Sequence, residues 1–148
     1  MKFRKATTKD IDVLINLRKK QLIDEGIEAD IEIDQELRQF FEDTLKDRSL
    51  VQLLVEDNER IIACGAVVFY QFPPTYTNKS GRKAYITNMY TDKEHRGKGI
   101  ATKLLSILVE ETRQIGISKI WLGASILGRP VYKKFGFTEI DEWLELTV

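Results

Sequence analysis

Apolar positions along the chain change their spacing several times, and each change marks a predicted element. The opening MKFRKA has strand character. Thr7, with Asp10 three residues on, has the form of a helix-capping pair. Behind it Ile11, Leu14, Ile15, Leu17 and Leu22 recur at helical spacing and predict an amphipathic first helix. From Asp24 to Glu36 the pattern loosens. Asp34 then stands where it can cap a second helix, whose apolar positions are Leu37, Phe40, Phe41 and Leu45. Leu50–Glu56 and Arg60–Tyr70 read as strands joined by the turn DNER, a predicted antiparallel hairpin. Pro73, Pro74, Asn78 and Gly81 make 71–83 a long loop.

Strand character returns at Ala84–Thr91. The motif RGKG then opens a helix running to about Ile115, with Ile100, Leu104, Ile107, Leu108 and Ile115 on one flank. Lys119–Ala124 is a further strand, Pro130–Phe135 a short helix, and Phe137–Val148 predicts closing strand structure. The order β-α-α-β-β-β-α-β-α-β implies an α/β domain with one mixed central sheet and helices packed on its faces.

Composition narrows the function. The 148 residues suit one domain, 1–148, and an apolar content of 43% supplies a core. With 23 basic and 23 acidic residues the formal charge is zero. That argues against nucleic acid as a partner, which calls for a basic excess on one face. No signal-like or membrane-spanning run is present, so a cytoplasmic protein away from the membrane is expected. The single cysteine, Cys64, lies in an apolar run and reads as a buried thiol.

The chemistry concentrates in ITNMYT-DKEH-RGKGIAT, a strand, a polar turn, and glycines at the mouth of a helix. A helix N-terminus presents unpaired N–H groups and the positive end of the macrodipole, which suits phosphate. Gly97 and Gly99 have no Cβ to hold an anion off the backbone, and Arg96 and Lys98 add positive charge. The spacing is not that of a P-loop, and the third glycine of the dinucleotide fingerprint is missing. A general nucleotide-binding module stays open on this reading alone.

Arg96-x-x-Gly99-x-Ala101 resembles the cofactor signature of the GNAT N-acetyltransferases. FRKATTKDIDVL resembles that family's first strand and helix, and VYKKFGF its closing Tyr-x-x-x-Gly-Phe element. The resemblance implies the GNAT-like acyl-CoA N-acyltransferase fold, with its fourth and fifth strands splayed apart. It implies acetyl-CoA as co-substrate, no metal, and a primary amine of a small molecule or peptide as acceptor. Backbone amides of Arg96, Gly97, Lys98, Gly99, Ile100 and Ala101, with the Thr102 hydroxyl, are expected at the pyrophosphate. The strand edge at Met89, Tyr90 and Thr91 is expected along the pantetheine arm. An amide, expected at Tyr90, would polarise the acetyl carbonyl.

Tyr132 matches the family tyrosine placed beside the thiol sulfur, where it can protonate the leaving thiolate. Its alternative is a ring packed on the sheet. Ser125 stands where many relatives carry an asparagine touching the cofactor arm. Seven acidic residues and no basic one lie between Asp24 and Glu36. Such a rim would attract a cationic amine, and the alternative is a solvated surface. Glu28, Glu32 or a water chain could serve as base, and Tyr76 is a candidate for the acceptor wall. His95 is expected at the surface. A non-catalytic acyl-CoA sensor and a transferase of another acyl group or acceptor are the rival readings, and an exposed sheet edge points to a homodimer.

Overall fold

The computed structural model describes residues 1–148. Its elements are β1 (Lys2–Lys5), α1 (Ile11–Asp24), α2 (Asp34–Asp47), β2 (Leu50–Asp57), β3 (Arg60–Gln71), β4 (Arg82–Thr91), α3 (Ile100–Gln114), β5 (Ile120–Leu122) and α4 (Arg129–Phe135). The sheet runs in chain order from β1 to β5. The first four strands are antiparallel, and β5 returns parallel to β4 after the α3 crossover. No helix is long and apolar enough to cross a membrane.

Local signals account for most boundaries. Thr7 Oγ1 accepts from the Lys9 N–H while the Asp10 carboxylate accepts from the Thr7 N–H, a complete capping box. Asp57 and Arg60 pair across Asn58 and Glu59, both at positive φ (50° and 63°), the left-handed two-residue turn that matches strand twist. Asp34 is not a cap: it is the first residue of α2, and its carboxylate accepts from Lys19 Nζ at 2.8 Å.

The sheet separates two cores. Leu53, Val55, Val67, Ala84 and Ile86 meet Ile100, Leu104, Leu105 and Leu108 of α3 on one face. On the other, Leu50, Leu54, Cys64, Ala66 and Val68 meet Ile11, Leu14, Ile15 and Leu17 of α1 and Phe41 of α2. The buried stripe of α3 runs through Leu105 and Thr112, leaving Ile115 largely exposed. Thr112 tolerates burial because its hydroxyl donates to the Leu108 carbonyl at 2.8 Å. The predicted closing strand does not form. Phe137–Val148 has no regular structure, although Trp143 packs edge-on against Trp121 with ring centroids 4.6 Å apart.

Candidate active site

The site begins with a defect in β4. Pairing with β5 runs from Ala84–Ile120 to Ile86–Leu122 and stops. Directly after it the register against β3 slips: Thr87 faces Ala66 and Tyr90 faces Cys64, so Asn88 and Met89 together oppose Gly65. This is a β-bulge, which bends its strand. Asn88 takes positive φ (55°), which asparagine tolerates better than most residues. Its amide donates to Gln52 Oε1 at 3.0 Å, and Gln52 Nε2 donates to the Gly65 carbonyl at 3.2 Å. Both side chains are buried, so the network is satisfied where an unpaired amide would be costly. Gly65 gives the Met89 side chain its place, since a Cβ there would lie 2.5 Å from Met89 Sδ and that side chain would have to shift. Residues 87–91 are thus paired with β3 on one side and open on the other.

That open strand leads into the cradle. Gly97 and Gly99 adopt φ of 76° and 79°, and a Cβ at either would meet nothing within 4 Å. Space therefore lies in front of both. Gly99 starts α3, its carbonyl accepting from the Lys103 N–H, so the N–H groups of the first turn are free of helical partners. No acidic residue stands in that turn to neutralise the positive end.

The Arg96 side chain is engaged within the fold. Its Nε donates to the Thr91 carbonyl at 2.8 Å and a terminal nitrogen to Asp24 Oδ2 at 2.7 Å. It ties the end of β4 to the end of α1, which leaves Lys98 as the exposed cation of the loop.

Tyr132 sits one turn into α4, its ring beside Phe137 and against the α3 core. Gly128 makes room for it: a Cβ there would lie 2.8 Å from the ring. Burial first, then the negative charge of Glu25, pushes its pKa up to about 12. The phenol is therefore protonated at neutral pH and has a proton to donate. It lines, with Tyr85, Trp121, Gly123 and Trp143, a cleft of about 960 Å³ beside β5.

The remaining candidates fall differently. Glu28 and Glu32 are exposed in the segment between α1 and α2. Tyr76 is fully exposed at the tip of the β3–β4 loop. From Arg82 at that end to Met89 the strand spans about 23 Å. Ser125 serves the chain itself: its Oγ accepts from the Gly128 N–H at 3.1 Å, in the turn before α4. His95 is mostly buried rather than at the surface, with Nε2 3.4 Å from Asp57 Oδ2 and Nδ1 buried without a partner. The Asp92 N–H donates to the Ile62 carbonyl at 2.8 Å, so by the alternation of a strand the Tyr90 N–H, two residues back and opposite Cys64, also turns toward β3. Sequence reading missed Gln52, Asn88, Gly65 and Asp24. A glycine within an apolar strand was the one available signal.

The sheet, the bulged strand and the glycine cradle define an α/β acyltransferase domain, and the comparisons agree. The profile of the Acetyltransferase (GNAT) family matches residues 14–137. A structure described as a predicted acetyltransferase with acetyl-CoA, from Clostridium acetobutylicum, is 57% identical, with 99% of this chain and 95% of that one covered and a TM-score of 0.97. A GCN5-related N-acetyltransferase from Ralstonia eutropha JMP134 is 22% identical, with 99% and 97% covered and a TM-score of 0.91. Glucosamine-6-phosphate N-acetyltransferase from Arabidopsis thaliana is 21% identical, with 99% and 97% covered and a TM-score of 0.76. The search of curated protein sequences returns no match. The chain belongs to the GNAT acetyltransferase family.

Proposed function

We propose that this enzyme transfers the acetyl group of acetyl-CoA to a primary amine of a small molecule or peptide by direct attack. One observation carries the reading. The strand edge released by the Asn88 bulge runs straight into a loop whose two left-handed glycines open onto a free helix N-terminus. Amides from Arg96 to Ala101, with the Thr102 hydroxyl, would bind the pyrophosphate, and the edge at Met89, Tyr90 and Thr91 would pair with the pantetheine arm. Peptides alternate in direction along a strand. With the Tyr90 N–H turned toward β3, the Met89 N–H on the open edge is a better placed oxyanion donor than the Tyr90 N–H.

In the reaction the amine nitrogen forms a bond to the acetyl carbonyl carbon, and the carbon–sulfur bond breaks. The amine proton leaves to water or to Glu28 or Glu32, and Tyr132 gives its proton to the departing thiolate. The acidic segment draws a cationic amine toward this region before deprotonation. Ser125, committed to Gly128, would touch the coenzyme only with its remaining hydroxyl capacity. We place the enzyme in the cytoplasm, a reducing compartment that suits its lone free thiol.

Free-thiol release from acetyl-CoA, measured against a panel of primary amines, tests this reading. Amine-dependent release is expected. Coenzyme binding without release on any amine, oxygen nucleophiles included, would identify a non-catalytic sensor instead.

A further inference from the structure

The turn between β4 and α3 carries three basic side chains, Lys93, Arg96 and Lys98, and Lys103 follows on the helix. The fold occupies two of the four. Arg96 is held by the Thr91 carbonyl and the Asp24 carboxylate. Lys103 lays its ammonium over the Phe3 ring, 4.4 Å from the centroid, toward the β1 edge of the sheet and away from the strand edge opened at β4. Lys98 is exposed, and the lysines that pair with carboxylates are Lys5, Lys19 and Lys133. On either side of Lys98 stand the two left-handed glycines, each with open space in front. A flexible cation thus sits in the middle of the cradle with nothing of its own chain to hold.

The coenzyme of the proposed reaction carries phosphate in two places. Its diphosphate is matched by the backbone amides of the cradle and by the helix end, which is equivalent to about half a positive charge. Its 3′-phosphate is a monoester on the ribose and carries a charge of about −1.5 to −2 at neutral pH. Backbone amides committed to the first group leave the second without a partner. The path between them runs through six single bonds of the ribose, so the phosphorus atoms lie within about 7 Å of each other. A lysine side chain spans about 6 Å from Cα to Nζ, and consecutive Cα atoms are about 3.8 Å apart. Lys98, one residue from each cradle glycine, therefore reaches the monoester while the neighbouring amides hold the diphosphate.

We propose that the Lys98 ammonium binds the 3′-phosphate of acetyl-CoA and makes the enzyme prefer that coenzyme to its 3′-dephospho form. The inference rests on the acetyl-CoA reading above and gives one side chain of that site a task of its own, separate from the amides. A compact ammonium on a flexible stem suits a freely turning monoester, which asks for charge rather than for a fixed fork of donors. Because Lys98 is exposed, the contact is modest and is screened by salt.

Calorimetric titration with CoA and with 3′-dephospho-CoA tests this on the wild type, Lys98→Gln and Lys98→Arg. The two ligands share the diphosphate and the pantetheine arm, so the ratio of their Kd values isolates the monoester. The wild type should favour CoA by about fivefold. Lys98→Gln should bring the ratio to unity by weakening CoA alone, and Lys98→Arg, which keeps the charge, should retain the preference. In 1 M salt, where charges are screened within about 3 Å, the wild-type preference should fade. Three results each overturn the proposal: equal wild-type affinity for the two ligands, a preference that survives Lys98→Gln and is carried by Lys93 or Lys134 instead, or an equal loss of both ligands in Lys98→Gln, which puts the lysine on the diphosphate. Wild-type protein that binds neither ligand removes the acetyl-CoA reading and this inference with it, whereas the first three results leave that reading standing.

Discussion

The Arg96 guanidinium joins the Thr91 carbonyl, at 2.8 Å, to the Asp24 carboxylate, at 2.7 Å and 72 residues away from Arg96 in sequence. It thereby fixes the turn before the glycine cradle against the C-terminal end of the helix that begins the acidic segment. Both partners are about 30% exposed, so the pair is screened and adds little to global stability. Its effect is on position. Asp24→Asn should lower acetyl-CoA affinity by roughly threefold to tenfold while changing stability by less than about 1 kcal/mol. Calorimetric titration alongside thermal unfolding would separate the two, and a large stability loss with normal affinity would contradict the positioning role.

Gly99→Val attacks the cradle itself. At φ of 79° a β-branched residue is strained, and its side chain would project into the space in front of the loop. Binding of acetyl-CoA should weaken by more than about tenfold. Gly116→Val, also at positive φ (81°) but away from the site at the end of α3, controls for strain and should leave affinity intact.

Tyr132→Phe keeps the ring that packs on Phe137 and removes the proton. Turnover should fall by about tenfold to 100-fold with little change in coenzyme affinity. An unchanged rate would make Tyr132 a packing residue.

The same tyrosine sets a pH response, and Tyr90 shares it, raised to about 12 by burial and then by the Asp92 carboxylate. Both folded values lie above the unfolded value of about 10. Their contribution to stability is therefore fully present below pH 10 and is lost as the pH rises toward 12. Denaturation midpoints should be level up to about pH 10 and fall steeply above it, with the fall reduced in Tyr132→Phe.

Asn88→Ala removes the donor to Gln52 and the residue best suited to the bulge. It should cost about 1–3 kcal/mol in chemical denaturation, because the buried Gln52 Oε1 loses its donor. Coenzyme affinity should fall as well, since the bulge holds the 87–91 edge open. A stable variant with normal affinity would remove the bulge from the argument.

Much of the fold was legible because its causes are local. The Thr7–Asp10 capping box, the two-residue hairpin turn at Asn58–Glu59, the period of α3 and the glycine turn before it are interactions between residues a few positions apart. The same holds for the place of Tyr132 in α4. What the sequence could not show depends on residues far apart in the chain. Gln52 and Asn88 are 36 residues apart, and nothing near Asn88 announces that it bends the strand. The engagement of Arg96 by Asp24 and the burial of His95 were decided in the same way, by which surfaces packing brought together. The segment 137–148 is the instructive case. Its alternation of apolar and polar residues writes a strand, but a strand exists only where another edge accepts its hydrogen bonds, and within one chain that edge is left empty.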